Sequence, residues 1–452
     1  QQAREPHIQK VFLTREIDGR LREFAFSAAA AHTRADRVQG LILVFVLLTV
    51  AGVVYMSSSW AKDQEKEEEE SILTQFLSPA IVEKLNTNPE VVERFYSQWL
   101  SVFFVAISGF RQAAETGAED IEAVALRRRR VMDIVRRQTV VAYNGIVDKF
   151  MGDTVMGWIG GPFSAHWNRL ASFRERLALD ELAFVEQDIR SLTREIDLIE
   201  RGQNTDPTNE AAEAGLPSGR EERLAYLRDA LRELEANQTA LLEKQQAAKL
   251  EDPSLEARHD EAMQEYKKQA ATSAVLCCLA IWEEVAHQES EDAFHDLSIG
   301  IASGSVSVGN FGSTDQIGFT VLGPTVDRAA RLEPASAQCG CKLLIDLQTY
   351  ELVKDAADLR FRLLPRIPVA GDSTPLATYE PFKGDTVSQD FLEAFHEGVF
   401  AAQRDELEKA ITHFEQAQQL RDGGDAPSRL WIEACQAALQ EGRKIEVKTI
   451  AK

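Results

Sequence analysis

Residues Ile299 to Glu333 read IGIASGSVSVGNFGSTDQIGFTVLGPTVDRAARLE. Segments at Leu297 to Ala302, Val306 to Phe311 and Ile317 to Leu322 have the length and β-rich character of strands. Ser303-Gly304, between the first two, has the composition of a turn. Thr325 to Ala337 carries helical periodicity, and Lys342 to Asp346 is another short apolar run. Strands alternating with helices in this way predict an α+β domain.

Outward from this block the pattern continues. Asn144 to Pro162, NGIVDKFMGDTVMGWIGGP, places Gly152-Asp153 between two strand-like runs, as a hairpin turn does. Before it lie a buried-strand pattern at Leu100 to Ile107 and a helical stretch from Glu119 to Ala142. A further helix is expected over Glu261 to Ala286.

Between these blocks the period changes to heptads. Ala178, Leu182, Val185, Ile189, Leu192, Ile196 and Ile199 alternate at three and four, as do Leu224, Leu227, Leu231, Leu234, Gln238 and Leu241. Asn204 to Gly219, with two prolines and two glycines, continues neither helix. The pattern predicts an antiparallel coiled-coil hairpin roughly 45 to 50 Å long. At the other end, Phe391 to Ala438 carries small and apolar residues in the helix-turn-helix spacing of tetratricopeptide-type repeats.

Gly40 to Met56, GLILVFVLLTVAGVVYM, is an uncharged run at the short end of what spans a bilayer, with Trp60 just beyond as an interface anchor. It predicts a single-pass protein of a bacterial inner membrane or an organelle membrane. Four arginines precede the span closely and two lysines follow it, which weakly puts the large domain outside. The sequence leaves the sidedness open.

A formal charge of −22 argues against general nucleic-acid binding. The basic run Arg127 to Arg130, followed by Arg136 and Arg137, reads as a solvated helix face or a contact with an acidic partner. Five cysteines without Cys-x-x-Cys spacing predict neither a disulfide framework nor a zinc site.

Three blocks, Leu100 to Phe110, Asn144 to Pro162 and Ile299 to Glu333, resemble in order those of the class III adenylyl and guanylyl cyclases. The likeness runs from about Ser71 to Phe382 once the inserted hairpin is set aside. It implies a ferredoxin-like βαββαβ domain that pairs head to tail as a homodimer or heterodimer, with each active site shared across the interface. It also implies two aspartates holding two magnesium ions, at positions 106 and 153. Asp153 is present; position 106 is Ala106, which offers no oxygen ligand.

The other roles implied by the resemblance are carried unevenly. Lys149 matches the lysine that reads the purine and Thr320 the threonine beside it, a pair that favours adenine. Gly109 keeps the phosphate loop open to close backbone approach. Arg331 matches the arginine that stabilises the pentavalent phosphate. Asp327 stands where an asparagine orients the ribose, Pro324 where an aspartate follows the glycine, and Arg111 where a threonine closes the loop. By residue type alone, Lys149 is a surface lysine, Thr320 a β-former, and Arg331 a salt-bridge partner for a neighbour such as Glu333.

The expected organisation is an amphipathic segment at 1–38, a transmembrane helix at 39–57, a stalk at 58–90, and a cyclase-like domain at 91–166 and 254–385. The hairpin is inserted at 167–253 and a helical tail occupies 386–452. The resemblance with its lost ligand implies a pseudo-cyclase serving as a structural or regulatory subunit, meeting other membrane-complex proteins through hairpin and tail. Two alternatives stay open: an active or heterodimer-dependent adenylyl cyclase, and a nucleotide-binding sensor without turnover. Magnesium and ATP are implied only for a functional site.

Overall fold

A computed structural model of the chain describes residues 95–107, 121–161, 167–202, 220–287, 297–311, 318–367, 376–384, 386–421 and 423–442. The amphipathic segment, the span at Gly40 to Met56, the stalk, Gly109 and Arg111 lie outside these residues.

The first strand, β1 (Tyr96–Ile107), is the apolar run expected at Leu100 to Ile107, extended by four residues at its start. It is followed by α1 (Ile121–Arg136), which runs into a π-helical turn at Arg137–Ala142. The β2 (Ile146–Met151) and β3 (Thr154–Gly160) strands form the hairpin predicted at Gly152-Asp153. A long helix, α5 (Leu255–Ala286), then leads to β4 (Leu297–Asn310). The strand order β2-β3-β1-β4, antiparallel throughout, is that of a ferredoxin-like βαββαβ core. The sheet continues through β6 (Leu343–Asp346), β8 (Leu376–Lys383) and β7 (Leu359–Ile367), with β5 (Phe319–Leu322) paired to β4. β6 runs parallel to β4, so the sheet is mixed.

Alternation of side chains along the strands puts helices on both faces. Trp99, Phe103, Val105 and Ile107 of β1, with Ile299 and Ile301 of β4, join α1 and α5 in one core. On the opposite face lies α6 (Pro324–Gln338), seated so closely on Gly300 that a Cβ there would strike the Ala329 carbonyl oxygen at 2.6 Å.

The expected turn at Ser303-Gly304 is not a turn. β4 passes straight through it, with Ser303 opposite Ser101 and Gly304 opposite Leu100 of β1. The glycine serves close approach instead: a Cβ there would sit 2.6 Å from the Thr325 hydroxyl oxygen at the start of α6. The strand expected at Ile317 to Leu322 is described from Phe319 onward. After β6 come α7 (Leu347–Val353), β7 and β8, none of which the sequence patterns predicted.

The heptad region holds α2 (Trp167–Arg176), α3 (Leu179–Glu200) and α4 (Arg220–Glu251). The first heptad residue, Ala178, is not helical: its φ of 49° breaks the chain between α2 and α3. Ile196, Ile199 and Leu227 form a small core of their own, flanked by Leu192, Leu224 and Leu231. Arg220 donates to the Glu200 carbonyl at 3.1 Å and Gln245 to that of Leu177 at 3.1 Å, so α3 and α4 run antiparallel.

Among the described residues α5 is long and apolar enough to cross a membrane, yet half of that stretch is buried, and its inner face is part of the domain core. The final helices, α8 (Gln389–Gln403), α9 (Leu407–Gln419) and α10 (Ala426–Glu441), pack in sequence, with Phe414 seated on Gly398. They join the sheet through a buried ion cluster. The Arg362 guanidinium on β7 pairs with Glu380 of β8 and, at 2.7 Å, with Asp425 at the start of α10. Phe382, Phe391 and Phe395 surround it. Burial would raise the Asp425 carboxyl, but Arg362 pulls it below the usual carboxylate range.

Candidate nucleotide site

The β1–β4 and β1–β3 ladders set Ala106 opposite Ser298 and opposite Thr154, next to Asp153. The Ile107 amide donates to the Asp153 carbonyl at 3.1 Å, and Arg128 of α1 donates to the Gly152 carbonyl at 3.0 Å. Both bonds hold the hairpin tip, so the two expected metal positions are side by side. One carries a carboxylate and the other a methyl group.

A second carboxyl group reaches this end of the sheet from α6. Glu333 accepts a hydrogen bond from Ser298, the residue opposite Ala106. Burial pushes Glu333 up from the ordinary range, the Ser298 hydroxyl opposes this, and the charge of Asp153 adds to it. Glu333 is therefore tied into the sheet. Among the described residues no three histidine, cysteine or acidic side chains come together as a metal cage. The donors present do not fit a two-magnesium centre, which needs oxygen from both positions.

The two residues expected to read the base are assembled differently. Lys149 on β2 and Thr320 on β5 meet at Asp148, whose side chain is 2% exposed. Thr320 donates to Asp148 at 2.6 Å and the Lys149 ammonium lies 3.3 Å from the same carboxylate oxygen. Burial raises the Asp148 carboxyl, while Thr320 and Lys149 pull it back. Lys149 itself stays exposed, its ammonium paired with Asp148 and facing solvent. Asp327 and Arg331 lie one turn apart on α6, so they share a face, Asp327 exposed and Arg331 half-buried.

Over 161 residues, 34% of its length, the chain is 24% identical to the terminal-differentiation-specific adenylate cyclase of Dictyostelium discoideum, covering 7% of that protein. Over 85 residues, 19% of its length, it is 32% identical to an adenylate cyclase of Anabaena cylindrica, covering 17% of it. The resemblance is to the class III nucleotidyl cyclases. The cyclase-like chain spans less than a fifth of either curated relative. No protein-family model matches it.

Among solved structures, the adenylyl cyclase CyaB from P. aeruginosa is 19% identical, with 64% of this chain and 97% of that one covered and a TM-score of 0.37. A bacterial light-regulated adenylyl cyclase is 17% identical, with 71% and 63% covered and a TM-score of 0.42. The cyclase-like reading rests on the sequence matches and the strand order.

Residue-type reasoning missed Asp148, Glu333, Ser298 and Arg128. Asp148 had one local signal, an acidic residue beside Lys149 in a strand with a buried face. The others depend on ladder register and on how α6 and α1 cross the sheet, which no short pattern encodes.

Proposed function

We propose that this chain is a membrane-anchored class III nucleotidyl cyclase-like protein without cyclase turnover, acting as a structural or regulatory subunit of a membrane protein complex. The observation that carries the reading is Ala106: the position beside Asp153 on β1 is 9% exposed and apolar, on a strand held by ladders on both sides. Losing one of two carboxylates leaves no path to neutralise the triphosphate through paired cations.

Gly40 to Met56 supplies the anchor in this proposal. The α3–α4 pair is an inserted coiled-coil arm, its heptad faces half-buried, and α8 to α10 are a short tetratricopeptide-like array. Arm and tail are the contact surfaces for complex partners, and the cyclase-like domain pairs with a second copy or a related chain.

The test is cyclic AMP formation by the purified full chain with ATP and magnesium or manganese, beside the Ala106→Asp variant. The reading expects no product from the wild-type chain. Product from the unmodified homodimer sinks it, and product appearing only when a partner cyclase chain is added replaces it with the heterodimer reading.

A further inference from the structure

Trp167 to Glu200 contains no glycine or proline, and the heptad spacing passes through Ala178 without a gap. Alanine is the strongest helix former, so local preference asks for one continuous helix here. The chain breaks instead. Ala178 is fully buried at φ 49° and ψ 34°, the left-handed region where an L side chain is crowded and where a helix ordinarily ends on glycine.

The break is held by contacts that a continuous helix excludes. Arg174 pairs with Asp180 at 2.6 Å, whereas six residues apart on a straight helix the two would point to different faces. The Leu177 carbonyl, which the Glu181 amide would reach in a continuous helix, accepts from the Gln245 side chain at 3.1 Å. Arg174 and Arg176 stand in the last turn of α2, and Asp180 and Glu181 in the first turn of α3, the signs that suit two separate helix ends.

The other leg of the arm is interrupted at the same level. α4 ends at Glu251, Pro253 cannot continue it, and α5 begins at Leu255. Asp252 accepts from the Ser254 hydroxyl at 2.6 Å and pairs with Arg258 at 3.1 Å and with Arg176 of α2 at 3.5 Å, which ties the two breaks together. Just beyond them Phe184 of α3 meets the Tyr96 ring at the start of β1 edge-on at 6.5 Å. That contact is incompletely satisfied: the Tyr96 hydroxyl oxygen is buried and has no hydrogen-bond partner among the described residues.

We propose that the α3–α4 arm is a two-position lever, docked on β1 with the chain kinked at Ala178, and released when α2 and α3 fuse into one helix and the arm pivots at Asp252-Pro253. The docked position carries a left-handed alanine and an orphaned phenol hydroxyl. Release relieves both, and gives up the Arg174–Asp180 pair, the Gln245 bond and the Phe184–Tyr96 contact. Costs on both sides are what a two-position element requires. At 1.5 Å per residue α3 is about 33 Å long, so a swing of about 30° carries its far end about 17 Å. None of this depends on the cyclase-like reading.

The experiment measures spin-label distances by double electron-electron resonance in the full chain, with Asp133→Cys on α1 and Asp229→Cys on the arm. Both positions are exposed, and the five native thiols are buried. Two distance populations are expected, one of them the docked distance. Ala178→Gly relieves the kink and weakens the fused helix, so it should raise the docked-to-released ratio about tenfold or more. Tyr96→Phe, which keeps the ring and removes the orphaned hydroxyl, should raise it about fivefold or more. Asp180→Asn should lower it about threefold. A single population in both the parent and Asp180→Asn, or a second population enriched by Ala178→Gly or by Tyr96→Phe, would overturn the proposal. A melting curve of each variant separates a moved arm from a lost fold.

Discussion

Thr320 donates its hydroxyl to Asp148 at 2.6 Å, joining β5 to β2, two strands that do not pair in the sheet. The buried Asp148 carboxyl thus gathers both base-reading candidates. Burial places its folded pKa above the ordinary value of 3.8, against the pull of Thr320 and Lys149. In the window just above 3.8 the folded chain binds more protons than the unfolded one, so ionising Asp148 costs stability as pH rises. Asp148→Asn should flatten that slope in urea midpoints collected against pH. Thr320→Val, which removes a partner of the buried carboxylate, should cost about 1–3 kcal/mol at neutral pH. An unchanged slope in the first variant would mean the carboxyl is solvated.

Arg362 is the counter-charge of both Glu380 and Asp425, and all three are almost fully buried. Arg362→Leu leaves two carboxylates facing each other in a phenylalanine-lined interior. Removing one member of such a cluster costs about 3–5 kcal/mol. Chemical denaturation should show that loss, whereas a change below about 1 kcal/mol would place the cluster in the class of solvated surface pairs.

The Leu363 amide on β7 donates to His396 Nε2 on α8 at 3.0 Å, so the imidazole must be neutral at that nitrogen. Burial lowers its pKa, Arg362 lowers it further, and Glu397 opposes both. A base with a depressed folded pKa stabilises the fold above its unfolded value of 6.5 and loses that contribution as pH falls through the folded value. The protection of the Leu363 amide, its slowing relative to the intrinsic exchange rate, should therefore fall between about pH 7.5 and about pH 5.5. His396→Gln, which keeps an acceptor without a titrating proton, should exchange at rates that follow only the intrinsic pH dependence.

Gly300 has backbone atoms of α6 where a side chain would be: the Ala329 carbonyl oxygen at 2.6 Å and the Leu332 carbonyl carbon at 2.7 Å from an added Cβ. Gly300→Ala must push α6 off the sheet, with a cost of about 1–3 kcal/mol. Since α6 carries Asp327, Arg331 and Glu333, the backbone amide shifts of all three should move in NMR spectra. A variant as stable as the parent with unmoved shifts would contradict the packing described.

The core elements were legible because period-two apolar runs, a Gly-Asp turn and an amphipathic helix are local signals. β7 was hidden for a physical reason: in LRFRLLPRI a buried position is filled by Arg362, whose compensating Asp425 comes 63 residues later. Ser303-Gly304 misled because a glycine chosen for close packing looks the same in sequence as one chosen for a turn. Ala178 kept the heptad spacing while its backbone left the helix. At the candidate site, the missing oxygen at Ala106 was readable from residue identity. The tie between Glu333 and Ser298 was not, because it exists only once α6 is laid across β4.

The Arg362 cluster also bears on where the chain can be cut. A truncation after residue 385, at the edge of the cyclase-like blocks, would discard Asp425, strip Phe391 and Phe395 from around Arg362, and leave that guanidinium with one counter-ion in a newly opened cleft. The smallest fragment worth expressing therefore ends near Glu441, and poor behaviour of a shorter one would say nothing about whether the remaining sheet is sound.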